Sequence, residues 1–173
     1  DSTTSDITSA IILCALILFV FLINIRTTLI VSITMPVTVV ISLYLMKLAG
    51  QTLNTSTMLA IGLSAGILVS NSIVVLENVV RRFEDVDDKW EAARIGTSQM
   101  AVSVLASAGT NVVVMLPIAM MTSMVGRFFT PFALTTLIVN IVSIFISFTL
   151  TPMLCALIMR KAAEKNKNAL ARF

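Results

Sequence analysis

Six polar side chains interrupt the apolar run from Asn54 to Arg82: Ser64, Ser70, Asn71, Ser72, Glu77 and Asn78. Their hydroxyl and amide oxygens are hard ligands that can meet a small cation or another helix. Glu77 is the one acidic group inside an apolar run, so it is the one that could carry a proton there. Polar groups at membrane depth are costly and mark either a helix interface or a transport path. On a helix turning about 100° per residue, Thr57, Ser64, Asn71 and Asn78 recur by sevens and form one narrow polar stripe. Gly62, Gly66 and Ser70 form a second stripe of small residues at four-residue spacing, suited to close helix packing. Arg81 stands four residues after Glu77, which suggests an ion pair at the helix end.

These residues need long helices to hold them. The chain has 173 residues, 57% hydrophobic and 12% charged, with mean hydropathy +0.99. Soluble domains carry about 25% charged residues, so the composition describes an all-α integral membrane protein. Charge-poor runs long enough to cross about 30 Å of hydrocarbon predict a five-helix bundle with spans near 8–25, 28–48, 56–80, 95–121 and 131–159. Pro36 interrupts the second span, and Thr34 or a neighbouring helix would have to cover the freed carbonyl. Asn54, Thr55 and Ser56 offer caps to the third. The first half of the fourth, with Gly96, Ser103, Ser107, Gly109 and Asn111, reads as a helix packed against protein. The fifth carries Asn140 at mid-depth and Pro152 near its end.

Residues 81–94 hold a concentrated charge and read as a solvated cytoplasmic loop, without the register of a calcium loop. Asp88 followed by Glu91 suggests a capping box, with Trp90 at the lipid headgroups. Residues 120–130 form a loop on the other side, and residues 160–173 form a basic surface tail. Arg26, Arg81, Arg82, Lys89, Arg94 and the five basic residues from Arg160 to Arg172 fall on one side of the membrane. Lys47 and Arg127 fall on the other. By the positive-inside rule the crowded side is cytoplasmic and the amino-terminal end lies outside.

Several chemistries are excluded. There is no His, and Cys14 and Cys155 sit in apolar runs as small hydrophobes. A zinc site and a Ser–His–Asp triad therefore have no ligands, and an intramembrane enzyme would lack a second acid beside Glu77. The net charge of +3 follows membrane orientation, and the few aromatic residues offer no base-stacking platform. The expectation is no enzyme, no metal and no nucleic acid. Both ends look cut, as in a piece of a longer protein.

NTSTM, AIG and GILVSNSIVVLENVVRR together resemble the fourth transmembrane helix of bacterial resistance-nodulation-division (RND) efflux transporters of the multidrug class. FLINIRTTLIVSITMPVTVV resembles the family's second helix, its cytoplasmic link and the start of its third. LTPMLCALIM resembles the end of its sixth. The resemblance implies the second to sixth helices of the amino-terminal half of an inner-membrane efflux pump. The first helix, the porter segments and the second half would then be absent. It also implies a homotrimer with a periplasmic adaptor and an outer-membrane channel, set in membrane lipid.

The departure is at Ser70 and Asn71, where proton-coupled members carry two aspartates. Neither side chain titrates near neutral pH. Three readings stand: Ser70 and Asn71 help bind Na+, a relay elsewhere such as Glu77 carries H+, or the two are polar interhelical contacts. Ser64, Asn71 and Asn78 would face the absent half or water, and Gly62 and Gly66 would pack a helix. The alternatives in function are a sterol- or lipid-sensing five-helix domain and a protein-export accessory of the same superfamily.

Overall fold

A computed structural model describes residues 25–86 and 88–158. Four helices run through them: α1 Ile25–Leu48, α2 Thr55–Asp85, α3 Lys89–Ala119 and α4 Gly126–Ile158. All four are long and apolar enough to cross a membrane, and no strand occurs among the described residues. The expected first span, apart from Ile25, lies outside the described residues, as do Cys14 and the basic tail at 160–173. The fold class is therefore the all-α membrane bundle read from the sequence, with four of its five expected spans in view.

The ends of the helices follow from local chemistry. Helix α1 stops at a Schellman motif in which Gly50 N–H donates to Lys47 O and Gln51 N–H to Met46 O. Gly50 takes the required positive φ of 69°. Asn54 then caps α2 through a complete box: its Oδ1 accepts from Thr57 N–H at 2.9 Å, and Thr57 Oγ1 accepts from Asn54 N–H at 2.8 Å. Helix α1 passes Pro36 without a break. Around it, Thr34 Oγ1 donates to Val31 O, Thr38 to Thr34 O and Ser42 to Thr38 O, so the hydroxyls are absorbed by their own helix.

Three sequence expectations are corrected here. The charged stretch 81–94 is not a loop, because α2 continues to Asp85 and α3 begins at Lys89. The charges sit at helical spacing: Arg82 pairs with Asp85 at 3.3 Å and Arg94 with Glu91 at 2.7 Å. They end the membrane span without ending the helix. A 31-residue helix reaches about 46 Å, well beyond the hydrocarbon. The capping box at Asp88 is only half formed, since Asp88 Oδ1 accepts from Trp90 N–H at 3.2 Å while Glu91 turns to Arg94. The loop expected at 120–130 shortens for a similar reason. Ser123 Oγ accepts from Gly126 N–H at 3.1 Å and starts α4 there.

Helix α4 packs against all three others. The core gathers Ile30 and Val31 of α1, Val75, Leu76, Val79 and Phe83 of α2, Ala92, Ala93 and Val104 of α3, and Cys155 and Ala156 of α4. Cys155 is buried there, as its reading as a small hydrophobe requires. Helix α3 buries only Ala92, Ala93, Gly96, Val104 and Ala108. Of the small polar half expected to lie against protein, Gly96 is buried, Gly109 and Asn111 are half-buried, and Ser103 and Ser107 are exposed. One residue of that half does make the closest helix approach. A Cβ added at Gly96 would lie 2.7 Å from Val79 Cα, so α2 and α3 touch backbone to backbone.

Candidate functional site

Helix α2 carries the site residues, and the structure divides them between two faces. Thr57, Ser64 and Asn71 are all at least 95% buried. They point into the bundle, where Asn71 Nδ2 donates to Ser143 Oγ of α4 at 3.4 Å. Asn78 Nδ2 donates to Gly96 O at 2.7 Å and to Gln99 Oε1 at 3.2 Å on α3, and Arg82 Nε donates to the same Gln99 oxygen at 2.9 Å. Asn71 therefore faces this chain's own α4 and Asn78 its α3, and Ser64 is buried, so these three do not face an absent half or water. Helices of mixed polarity bury their costliest groups where a partner exists, and α4 supplies one.

The partner stripe on α4 went largely unread in the sequence. Thr136, Asn140, Ser143, Ser147 and Thr151 recur at spacings of 4, 3, 4 and 4, and all are buried. That heptad-like spacing was the available signal. Asn140 Nδ2 crosses to Ala108 O of α3 at 3.0 Å. Among the described residues, five buried oxygens have no hydrogen-bond partner: Ser64 Oγ, Thr135 Oγ1, Asn140 Oδ1, Ser147 Oγ and Thr151 Oγ1. The buried polar groups around α4 are thus uncharged hydroxyls and amides.

Gly62, Gly66 and Ser70 lie on the other face, which is exposed. A Cβ at either glycine would meet nothing within 4 Å, so these residues pack no helix among the described residues. Adjacent positions on a helix diverge by about 100°, so Ser70 points out where Asn71 points in. The two do not converge on one ligand. Glu77 stands seven residues from Ser70, hence within about 20° of it around the helix, and it too is exposed. Among the described residues no ion pair joins Glu77 to Arg81, because the pairs formed are Arg82–Asp85 and Glu91–Arg94. The exposed face thus holds one hydroxyl and, two turns or about 10 Å further on, one carboxylate without an ion-pair partner among the described residues. No cluster of three or more His, Cys, Asp or Glu able to hold a metal occurs among the described residues.

The chain matches known proteins over its full length. The family model described as the AcrB/AcrD/AcrF family matches residues 1–173. Multidrug resistance protein MdtC of Pantoea ananatis (strain AJ13355) is 35% identical over 158 residues, covering 91% of this chain and 15% of that protein. MdtC of Serratia proteamaculans (strain 568) is 35% identical over 164 residues, covering 95% of this chain and 16% of that protein. The chain thus spans about a sixth of the length of these curated relatives. Four membrane-length helices, a helix carrying SNSIVVLENVVRR and a family match from end to end agree: the chain belongs to the AcrB/AcrD/AcrF family of RND efflux transporters.

Proposed function

We propose that this chain is part of the membrane domain of an ion-gradient-driven permease exporting amphiphilic compounds, with α2 as its coupling helix. The single observation that carries the coupling role is the exposed face of α2. Ser70 and Glu77 share it, and Glu77 has no ion-pair partner among the described residues. Asn71 instead serves as an interhelical contact through Ser143. In this reading Glu77 binds and releases the driving proton, and Ser70 lies on its path. Sodium held jointly by Ser70 and Asn71 is disfavoured by their divergence. No residue acts as a catalyst, and no cofactor beyond the coupling ion is required. The protein would sit in the bacterial inner membrane with α1 starting and α4 ending on the cytoplasmic side. It would assemble as a trimer with an adaptor and an outer-membrane channel, as its family does.

The test uses the whole polypeptide that carries this chain, reconstituted in proteoliposomes. Efflux of an amphiphilic dye would be followed with a proton gradient alone and with a sodium gradient alone. Proton-driven efflux that Glu77→Gln abolishes and Asn71→Ala preserves is the expected result. Efflux driven by sodium alone, or unchanged in Glu77→Gln, would sink the assignment of Glu77.

A further inference from the structure

We propose that the groove between the amino-terminal part of α3 and the carboxy-terminal part of α4 binds an anionic phospholipid, with Arg94 holding its phosphate. The groove encloses about 430 Å³ and lies far from the exposed face of α2 in sequence and in role. Trp90, Arg94, Thr97 and Ala101 line one wall, and Phe148 and Met153 belong to the other.

The two ends of the groove differ chemically. Its deeper part is apolar in effect, because the nearby hydroxyls are already spent. Thr97 Oγ1 donates to Ala93 O at 2.7 Å and Thr149 Oγ1 to Phe145 O at 2.6 Å. That leaves a surface of methyl, phenyl and thioether groups fit for an acyl chain. The mouth carries a cation and an indole, the pair that marks the headgroup level of a bilayer. Trp90 to Ala101 spans roughly 16 Å of helix, which takes the groove from headgroup depth into the hydrocarbon.

Arg94 is already aimed. Its Nε and Nη2 donate to Glu91 Oε2 and Oε1 at 3.0 and 2.7 Å, which fixes one edge of the guanidinium. The fork has five N–H donors, and the remaining ones make no bond among the described residues. They present the second edge, the geometry that takes two phosphate oxygens at once. Glu91 is not part of the lining, so its charge holds the arginine from the side. The Arg94 side chain is 77% exposed and free to meet a headgroup. Basic pockets between transmembrane helices recognise anionic headgroups by this chemistry.

The test is native mass spectrometry of the whole polypeptide, delipidated in detergent and titrated with phosphatidylglycerol or phosphatidylcholine of the same chains. The wild type should hold at least one phosphatidylglycerol about tenfold more tightly than phosphatidylcholine, whose equal phosphate is offset by a choline cation that Arg94 repels. Arg94→Ala should bring the two lipids level, and Ala101→Trp, which fills the groove, should lose both. Arg127→Ala, at the opposite end of the bundle, should change neither. An unchanged preference in Arg94→Ala would overturn the site. So would undiminished binding in Ala101→Trp, or displacement of the lipid by inorganic phosphate alone, which would mean a bare anion site.

Discussion

Asn71 of α2 and Ser143 of α4 are joined by the one side chain–side chain hydrogen bond between buried residues among those described, at 3.4 Å. At the position where proton-coupled relatives are expected to ionise, this chain has a neutral amide facing its own bundle. The bond is long and neutral, so its worth is that of an ordinary polar contact between membrane helices. A double-mutant cycle with Asn71→Ala and Ser143→Ala should give a coupling energy of about 0.6 kcal/mol. Reversible unfolding in mixed micelles measures it, and a value several times larger would mean that the contact is part of a charged network.

The glycines should separate cleanly by position. Gly96→Val places atoms against the Val79 backbone and should cost about 1–3 kcal/mol, as overpacking does. Gly62→Ala and Gly66→Ala meet nothing within 4 Å and should gain up to about 1 kcal/mol from helix propensity. Denaturation midpoints of the isolated chain in detergent rank the three. In the whole polypeptide the gain at Gly62 and Gly66 should vanish if another segment covers that face.

Thr151 is fully buried with an unpartnered hydroxyl. Replacing an unsatisfied polar atom by a methyl removes a desolvation cost, so Thr151→Val should be neutral or stabilising by about 1 kcal/mol. The same unfolding assay checks it. A clear destabilisation would instead report a bound water that uses this hydroxyl.

Gln99 receives both Asn78 and Arg82. Gln99→Leu should leave Asn78 its 2.7 Å bond to Gly96 O and Arg82 its pair with Asp85, at a cost of less than about 1 kcal/mol for so exposed a contact. Asn78→Leu removes the backbone tether as well and should cost more. Hydrogen exchange at the α2–α3 link would show the difference as faster exchange in Asn78→Leu.

Much of this architecture was legible because membrane spans announce themselves through a lack of charge. The start of α2 at Asn54 could be read from its capping residues, and Cys155 from its apolar setting. Helix boundaries near 81–94 could not, because charge poverty marks where lipid ends and says nothing about where hydrogen bonding ends. The periodicity at Thr57, Ser64 and Asn71 found the stripe. Its direction depended on whether another helix offered a matching one, and the signal for that lay in Thr136, Asn140, Ser143, Ser147 and Thr151. Small residues at Gly62 and Gly66 were ambiguous in the same way. A gap in side-chain volume permits close packing but does not summon a partner, and Gly96 found one.

The backbone contact at Gly96 and Val79 has a mechanical consequence. Helices α2 and α3 are joined by three residues, tied by the Asn78 bond to the Gly96 carbonyl and in backbone contact at Gly96 and Val79. Neither can slide along its axis without the other, so the pair forms a stiff lever. Helix α2 packs on α4 at least as extensively as on α3, but there the contact is made by side chains, with the 3.4 Å Asn71–Ser143 bond across it. A stroke delivered to the exposed face of α2 would therefore reach α3 through backbone contact and α4 through side chains.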